Sequence, residues 1–135
     1  ILRNLVAVGI DRYKSNWGSL PKKNLTAIGN KWVSDLKIKT KNPLNPVTSL
    51  SGGNQQRVVL AKWFAMNPHL MILNGPTVGV DVGSKREILE IIRDRAKNGM
   101  SFLVVSDDIP ELIQICHRVA NISRQKNTCR RAPAQ

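Results

Sequence analysis

Two four-residue runs without a polar member, Leu70-Met71-Ile72-Leu73 and Phe102-Leu103-Val104-Val105, restrict the fold of this chain more than any other feature. Runs so short and so continuously apolar read as strands buried on both faces. Between them lies a helical pattern over roughly 84–98, with an apolar set of Ile88, Leu89, Ile91, Ile92 and Ala96 and a stop at Gly99. Strand, helix, strand in this order is the layout of a parallel α/β sheet. A weaker third strand is predicted near Val119 to Ile122. So few strands leave open edges, which points to pairing from elsewhere, self-association of the chain included.

The remaining pattern is mainly helical. Leu25, Ile28, Trp32, Val33 and Leu36 fall on one face of a 3.6-residue period, with Pro21 near the start. Residues 39–49, holding Pro43 and Pro46, form a linker. Ser51-Gly52-Gly53 opens a helix that runs to about Met66 and stops at Asn67-Pro68. Asp108-Ile109-Pro110-Glu111 has the form of a capping box. Residues 1–20 are mixed and end in a turn at Trp17-Gly18-Ser19. The expected organisation is a helical subdomain over 1–66, an α/β part over 67–123 and an unstructured basic tail over 124–135.

Composition narrows the partners. The 21 Lys+Arg against 9 Asp+Glu give a net charge of +12, concentrated in 37–41 and 124–131. Such an excess favours polyanions, but neither cluster interleaves the aromatics that stack on single-stranded nucleic acid. Cys116 and Cys129 lack metal-ligand spacing and read as reduced thiols, and His69 and His117 stand too far apart for a metal. No metal site is expected.

The segment Leu50-Ser51-Gly52-Gly53-Asn54-Gln55-Gln56 combines a hydroxyl, two glycines and a helix start. Unhindered backbone N–H groups at the positive end of a helix dipole suit a phosphate. An apolar run then follows, then Gly75-Pro76-Thr77, then Gly79-Val80-Asp81-Val82-Gly83. With these spacings the chain resembles an ABC (ATP-binding-cassette) ATPase: signature motif, Walker B strand and D-loop. The forms LSGGNQQ and GVDVG are similar to those in the second ATPase half of tandem bacterial sugar-import subunits.

The resemblance implies a partial P-loop NTPase core of parallel strands with an α-helical subdomain. It implies a composite site in which Ser51, Gly52 and Gly53, with Asn54 and Gln55 beside them, face ATP held by an opposite ATPase half. Asp81 would align that site from the D-loop, although its place just before a helix also suits a capping carboxylate. ATP with Mg²⁺ would bind only in the completed site. The implied partners are the opposite half and transmembrane permease subunits, at the cytoplasmic face of the inner membrane, without direct contact with sugar. Nucleic acid is not expected. The alternatives are an ABC-type ATPase acting on DNA and a non-catalytic partner-binding remnant.

Departures from the family's pattern matter as much. Where it ends the Walker B strand in two carboxylates, this sequence has Asn74 and Gly75, and the switch-histidine position holds Asp107. An amide holds a hydrated divalent cation less well than a carboxylate, and glycine offers no base. No G-x-x-x-x-G-K-[ST] occurs, and with no initiator Met the chain reads as a fragment, inactive in hydrolysis by itself.

Overall fold

The computed structural model describes residues 1–8, 22–122 and 127–131. Helix α1 (Leu2–Ala7) is followed by α2 (Lys22–Asp35), a 3₁₀ turn (Val47–Ser49), α3 (Gly52–Phe64), β1 (Leu70–Asn74), α4 (Val82–Lys97), β2 (Ser101–Val105), α5 (Ile109–Ile115), β3 (Arg118–Ile122) and β4 (Asn127–Arg131). Strands β1 and β2 pair in parallel from Leu70↔Ser101 to Asn74↔Val105, with α4 as the crossover. Strand β3 joins neither of them. It pairs antiparallel with β4, so residues 127–131 are ordered as a strand where the basic tail was expected to lack structure.

One core joins the two stretches that the sequence separates at residue 66. Leu36, Val58, Leu60, Ala61 and Phe64 pack in the same cluster as Met71, Leu73, Ile88 and Ile92. Phe64 meets Phe102 edge-to-face at 6.3 Å and 89°, joining α3 to β2. The face of α4 is the predicted one: Ile88, Leu89, Ile91 and Ile92 are all buried. Gly99, at φ +91°, ends the turn after this helix in a backbone region that other residues enter at a cost.

The strands differ from expectation in one respect. Met71 and Leu73 are buried, but Leu70 and Ile72 are 58% and 65% exposed, and Leu103 and Val105 on β2 also face outward. Alternation along a pleated strand sends successive side chains to opposite faces, and the described helices cover only one of them. The apolar runs record a two-sided burial that this stretch supplies on one side.

The N-terminal residues also differ. Ile1, Leu2, Leu5 and Val6 are buried, and α1 packs on α2 and α3. Their i, i+3, i+4 spacing is helical, but six residues are too few to be separated from a mixed stretch by pattern alone. Trp32 is buried as expected, whereas Trp63 is half exposed with the Lys62 ammonium 5.5 Å from its ring. Pro21 and the turn at Trp17-Gly18-Ser19 lie outside the described residues.

Candidate functional site

The turn at 50–53 sits at the exposed start of α3. Leu50 is buried and anchors it, while Ser51 and Gly52 are exposed. Ser51 occupies the N-cap position, but its side chain makes no hydrogen bond to the helix backbone. The first intrahelical bond runs from the Gln55 N–H to the Ser51 carbonyl at 2.9 Å. The N–H groups of Gly52, Gly53 and Asn54 therefore have no acceptor among the described residues. The uncommitted N–H groups at the first turn of a 13-residue helix carry roughly half a positive charge. That is an anion-binding arrangement, exposed at Ser51 and Gly52 and buried at Gly53 and Asn54.

Gly53 is buried where α3 meets the start of α4. A Cβ there would fall far inside contact distance of the Ser84 Cβ and Oγ, and 3.7 Å from the Ser84 Cα. The second glycine is thus required by a close approach, because only a residue without Cβ lets the two helix starts touch. Gly52 is different: a Cβ would meet only the Gly79 carbonyl, at 3.5 Å. The turn at 50–53 consequently lies against Gly79.

Asp81 is the N-cap of α4. Its Oδ1 accepts from the Ser84 N–H at 2.9 Å and its Oδ2 from the Ser84 hydroxyl at 2.8 Å. These two donors hold its carboxyl below the usual carboxylate range. The capping role weighed from the sequence is therefore present in the geometry, beside the signature turn.

Asn54 and Gln55 are turned inward. The Asn54 side chain accepts from the Lys39 N–H at 2.8 Å and donates to Ser51 Oγ at 2.8 Å. Gln55 Nε2 donates to the Leu50 carbonyl at 2.8 Å. Both amides brace the turn from within. One turn further along α3, buried Arg57 donates to the Lys37 carbonyl at 2.7 Å and pairs with Glu87 on α4. Burial pushes the Arg57 guanidinium below its ordinary value, opposed by the charge of Asp81. With one partner removed, a buried ion of this kind is left uncompensated, so the pair holds α3 in place against α4.

A second feature lies at the carboxyl ends of β1 and β2, the edge where open α/β sheets bind ligands. A cavity of about 290 Å³ there is lined by Asn74, Gly75, Thr77, Lys85, Asp107 and Glu111, among others. Gly75, at φ +55°, donates its N–H to the Val105 carbonyl at 2.8 Å. Asn74 and Asp107 are exposed at the rim.

The network in this cavity was not visible in the sequence. Glu111 is 2% exposed, accepts from the Thr77 hydroxyl at 2.5 Å and lies 3.3 Å from the Lys85 ammonium, which also pairs with Asp108. Asp108 accepts from the Glu111 N–H at 3.1 Å, so the expected capping box forms only its forward half. The reciprocal carboxylate is used across the fold instead. Partners 26 to 34 residues apart share no spacing that a motif could reveal. Lys85 holds Asp108 below the usual carboxylate range, and the two carboxylates raise Lys85 above its own.

This cavity does not fit a divalent cation. The two positions where the family places carboxylates offer an amide and no side chain, and the nearest buried carboxylate, Glu111, has its Oε2 taken by Thr77 and Lys85, which leaves a single oxygen, Oε1, without a partner. No group of three or more His, Cys, Asp or Glu among the described residues is arranged to hold a metal.

The sequence profile of the ABC transporter family matches residues 13–78. The galactose/methyl galactoside import ATP-binding protein of Clostridium perfringens is 38% identical over 121 residues, covering 89% of this chain and 23% of its own length. The ribose import ATP-binding protein of Geobacillus kaustophilus is 47% identical over 95 residues, covering 70% of this chain and 19% of that protein. The chain thus spans about a quarter or less of the length of these relatives.

Among solved structures, an inward-facing metal-chelate type ABC transporter superimposes with a TM-score of 0.80 at 18% identity, over 97% of this chain and 51% of that one. The dimeric ABC transporter cassette MJ0796 superimposes with a TM-score of 0.71 at 22% identity, over 88% and 50%. At those identities the likeness concerns the fold, which is that of a partial P-loop NTPase core. Motif spacing and sequence relatives agree: the chain belongs to the ABC transporter family, and it is similar to part of the ATP-binding proteins of sugar importers.

Proposed function

We propose that this chain supplies the signature half of a composite ATP site and couples hydrolysis there to carbohydrate import. In this reading the Ser51 hydroxyl and the N–H groups of Gly52 and Gly53 meet the terminal phosphate of an ATP whose phosphate loop and Mg²⁺ belong to an opposite ATPase half. Asp81 stands next to that contact and aligns the opposite site. The partners are that half and transmembrane permease subunits, which puts the chain at the cytoplasmic face of the membrane. No helix among the described residues is long and apolar enough to cross one.

The observation that carries this reading is the turn at the start of α3, exposed at Ser51 and Gly52, whose first N–H groups have no acceptor among the described residues. The curated relatives are named as ATP-binding proteins for galactose, ribose and fructose import, which supports sugar as the transported class. The chain's own strand-end site is read as hydrolytically silent. Asn74 and Gly75 supply neither a metal-holding carboxylate nor a base, and Asp107 stands where the switch histidine is usual.

The experiment is ATP hydrolysis by the chain assembled with an opposite ATPase half. Ser51→Arg fills the phosphate position, and loss of the transition-state donors is expected to lower turnover by about 10²-fold or more. Asn74→Ala is expected to leave turnover within a few-fold of the parent. Full activity in Ser51→Arg, or its collapse in Asn74→Ala, would reverse the assignment of the two sites.

A further inference from the structure

The hydroxyl that the turn presents is governed by a neighbouring amide. Asn54 is 7% exposed, and both ends of its side chain are used. Its Oδ1 faces the Lys39 backbone N–H at 2.8 Å and its Nδ2 faces Ser51 Oγ at 2.8 Å. A backbone N–H can only donate, so the carbonyl end must be the one at Lys39. The NH₂ end is then fixed on Ser51, and Ser51 Oγ has to accept.

Two consequences follow for the donor set. An N-cap serine ordinarily turns its oxygen toward the N–H of the second or third helical residue. Here the Asn54 NH₂ group takes that oxygen, and no cap bond forms. The helix N–H groups stay open, and the hydroxyl proton has no acceptor among the described residues, so it is directed outward.

We propose that Asn54 is a positioning residue that makes Ser51 a hydrogen-bond donor and keeps the helix N–H groups uncapped, provided that residues 37–39 stay docked on α3. This rests on the reading of the turn as a phosphate contact. The docking condition comes from the other end of the amide. Residues 37–39 leave α2 through Lys37 at φ +50°, and they are held on α3 by two bonds, Lys39 N–H to Asn54 and Arg57 to the Lys37 carbonyl. A shift of that segment frees the Asn54 amide to rotate. Ser51 Oγ can then fall back onto its own helix as a cap. In that state the turn loses one O–H and one N–H toward phosphate together, which ties phosphate contact to the position of the α2 exit.

The test is a double-mutant cycle on kcat/KM for ATP, with the chain assembled with an opposite ATPase half. Ser51→Ala and Asn54→Ala are each expected to lower it, and the double variant to be no worse than Ser51→Ala alone, because Asn54 acts through the hydroxyl. Asn54→Asp still accepts from Lys39 but replaces the NH₂ by an acceptor, turning the Ser51 proton inward. It is expected to lower turnover about 10²-fold while its melting midpoint stays near the parent's. Additive losses in the cycle, or parent-like turnover in Asn54→Asp, overturn the positioning role alone. A Ser51→Ala variant with parent-like activity removes the phosphate reading beneath it as well.

Discussion

Replacing Gly53 by alanine tests whether the second glycine of the turn is set by packing between helices. In most helix interiors the exchange is favourable, by up to about 1 kcal/mol, because alanine has less backbone freedom to lose. Here the new Cβ would overlap the Ser84 Cβ and Oγ. The hydroxyl can rotate away, but the Ser84 Cβ is fixed to the backbone of α4, so the two helix starts must separate. Overpacking of this kind costs roughly 1–3 kcal/mol, and with a rigid neighbour the upper part of that range applies. The expected net loss is about 2 kcal/mol, or about 1 M in the urea midpoint at a slope of ~2 kcal/mol/M.

The neighbour identifies the cause. Ser84→Gly removes both overlapping atoms and leaves only the Cα at 3.7 Å, an ordinary contact. In that background Gly53→Ala is expected to be neutral or slightly stabilising, a coupling of about 2–3 kcal/mol, whereas Ser84→Ala keeps the Cβ and gives no relief. Urea unfolding followed by far-UV circular dichroism measures all four corners. An unchanged cost of Gly53→Ala in the Ser84→Gly background would refute the close approach as its cause.

The remaining outcomes concern core packing and pH. Phe64 is 3% exposed and edge-on to Phe102, with the Arg95 guanidinium 5.3 Å from its ring, and its truncation to alanine should cost about 3–5 kcal/mol. Truncating half-exposed Trp63 to alanine should cost under about 1 kcal/mol in the same urea assay. Asp81, whose carboxyl is held below its usual value of 3.8 by Ser84, contributes stability that is complete above that value and is lost as pH falls through the lower folded one. The melting-point gap between the parent and Asp81→Asn should thus be constant above about pH 5 and shrink as the pH falls below about 4.

Much of this protein was legible in its sequence. The apolar runs at 70–73 and 102–105 determined two strands of the parallel type, and the 3.6-residue spacing of Ile88, Leu89, Ile91 and Ile92 determined the crossover between them. The turn at 51–53, with its spacing to Gly79-Val80-Asp81, determined the family. Each of these is local, set by periodicity or by backbone demands within a few residues. α1 escaped notice because six residues hold too little periodicity. The pairing of β3 with β4 escaped because residues 127–131 are basic and polar, and their order depends on the strand they meet.

Tertiary structure alone decided what surrounds the turn. It brought Gly53 against Ser84, Asn54 against Lys39, Arg57 against Glu87, and Glu111 against Thr77 and Lys85. These contacts join residues 15 to 34 positions apart, where hydrogen-bond direction and steric fit are properties of the packed chain. The sequence therefore established that a Ser-Gly-Gly turn opens a helix, while the fold determined which of its side chains face outward and which brace it from within.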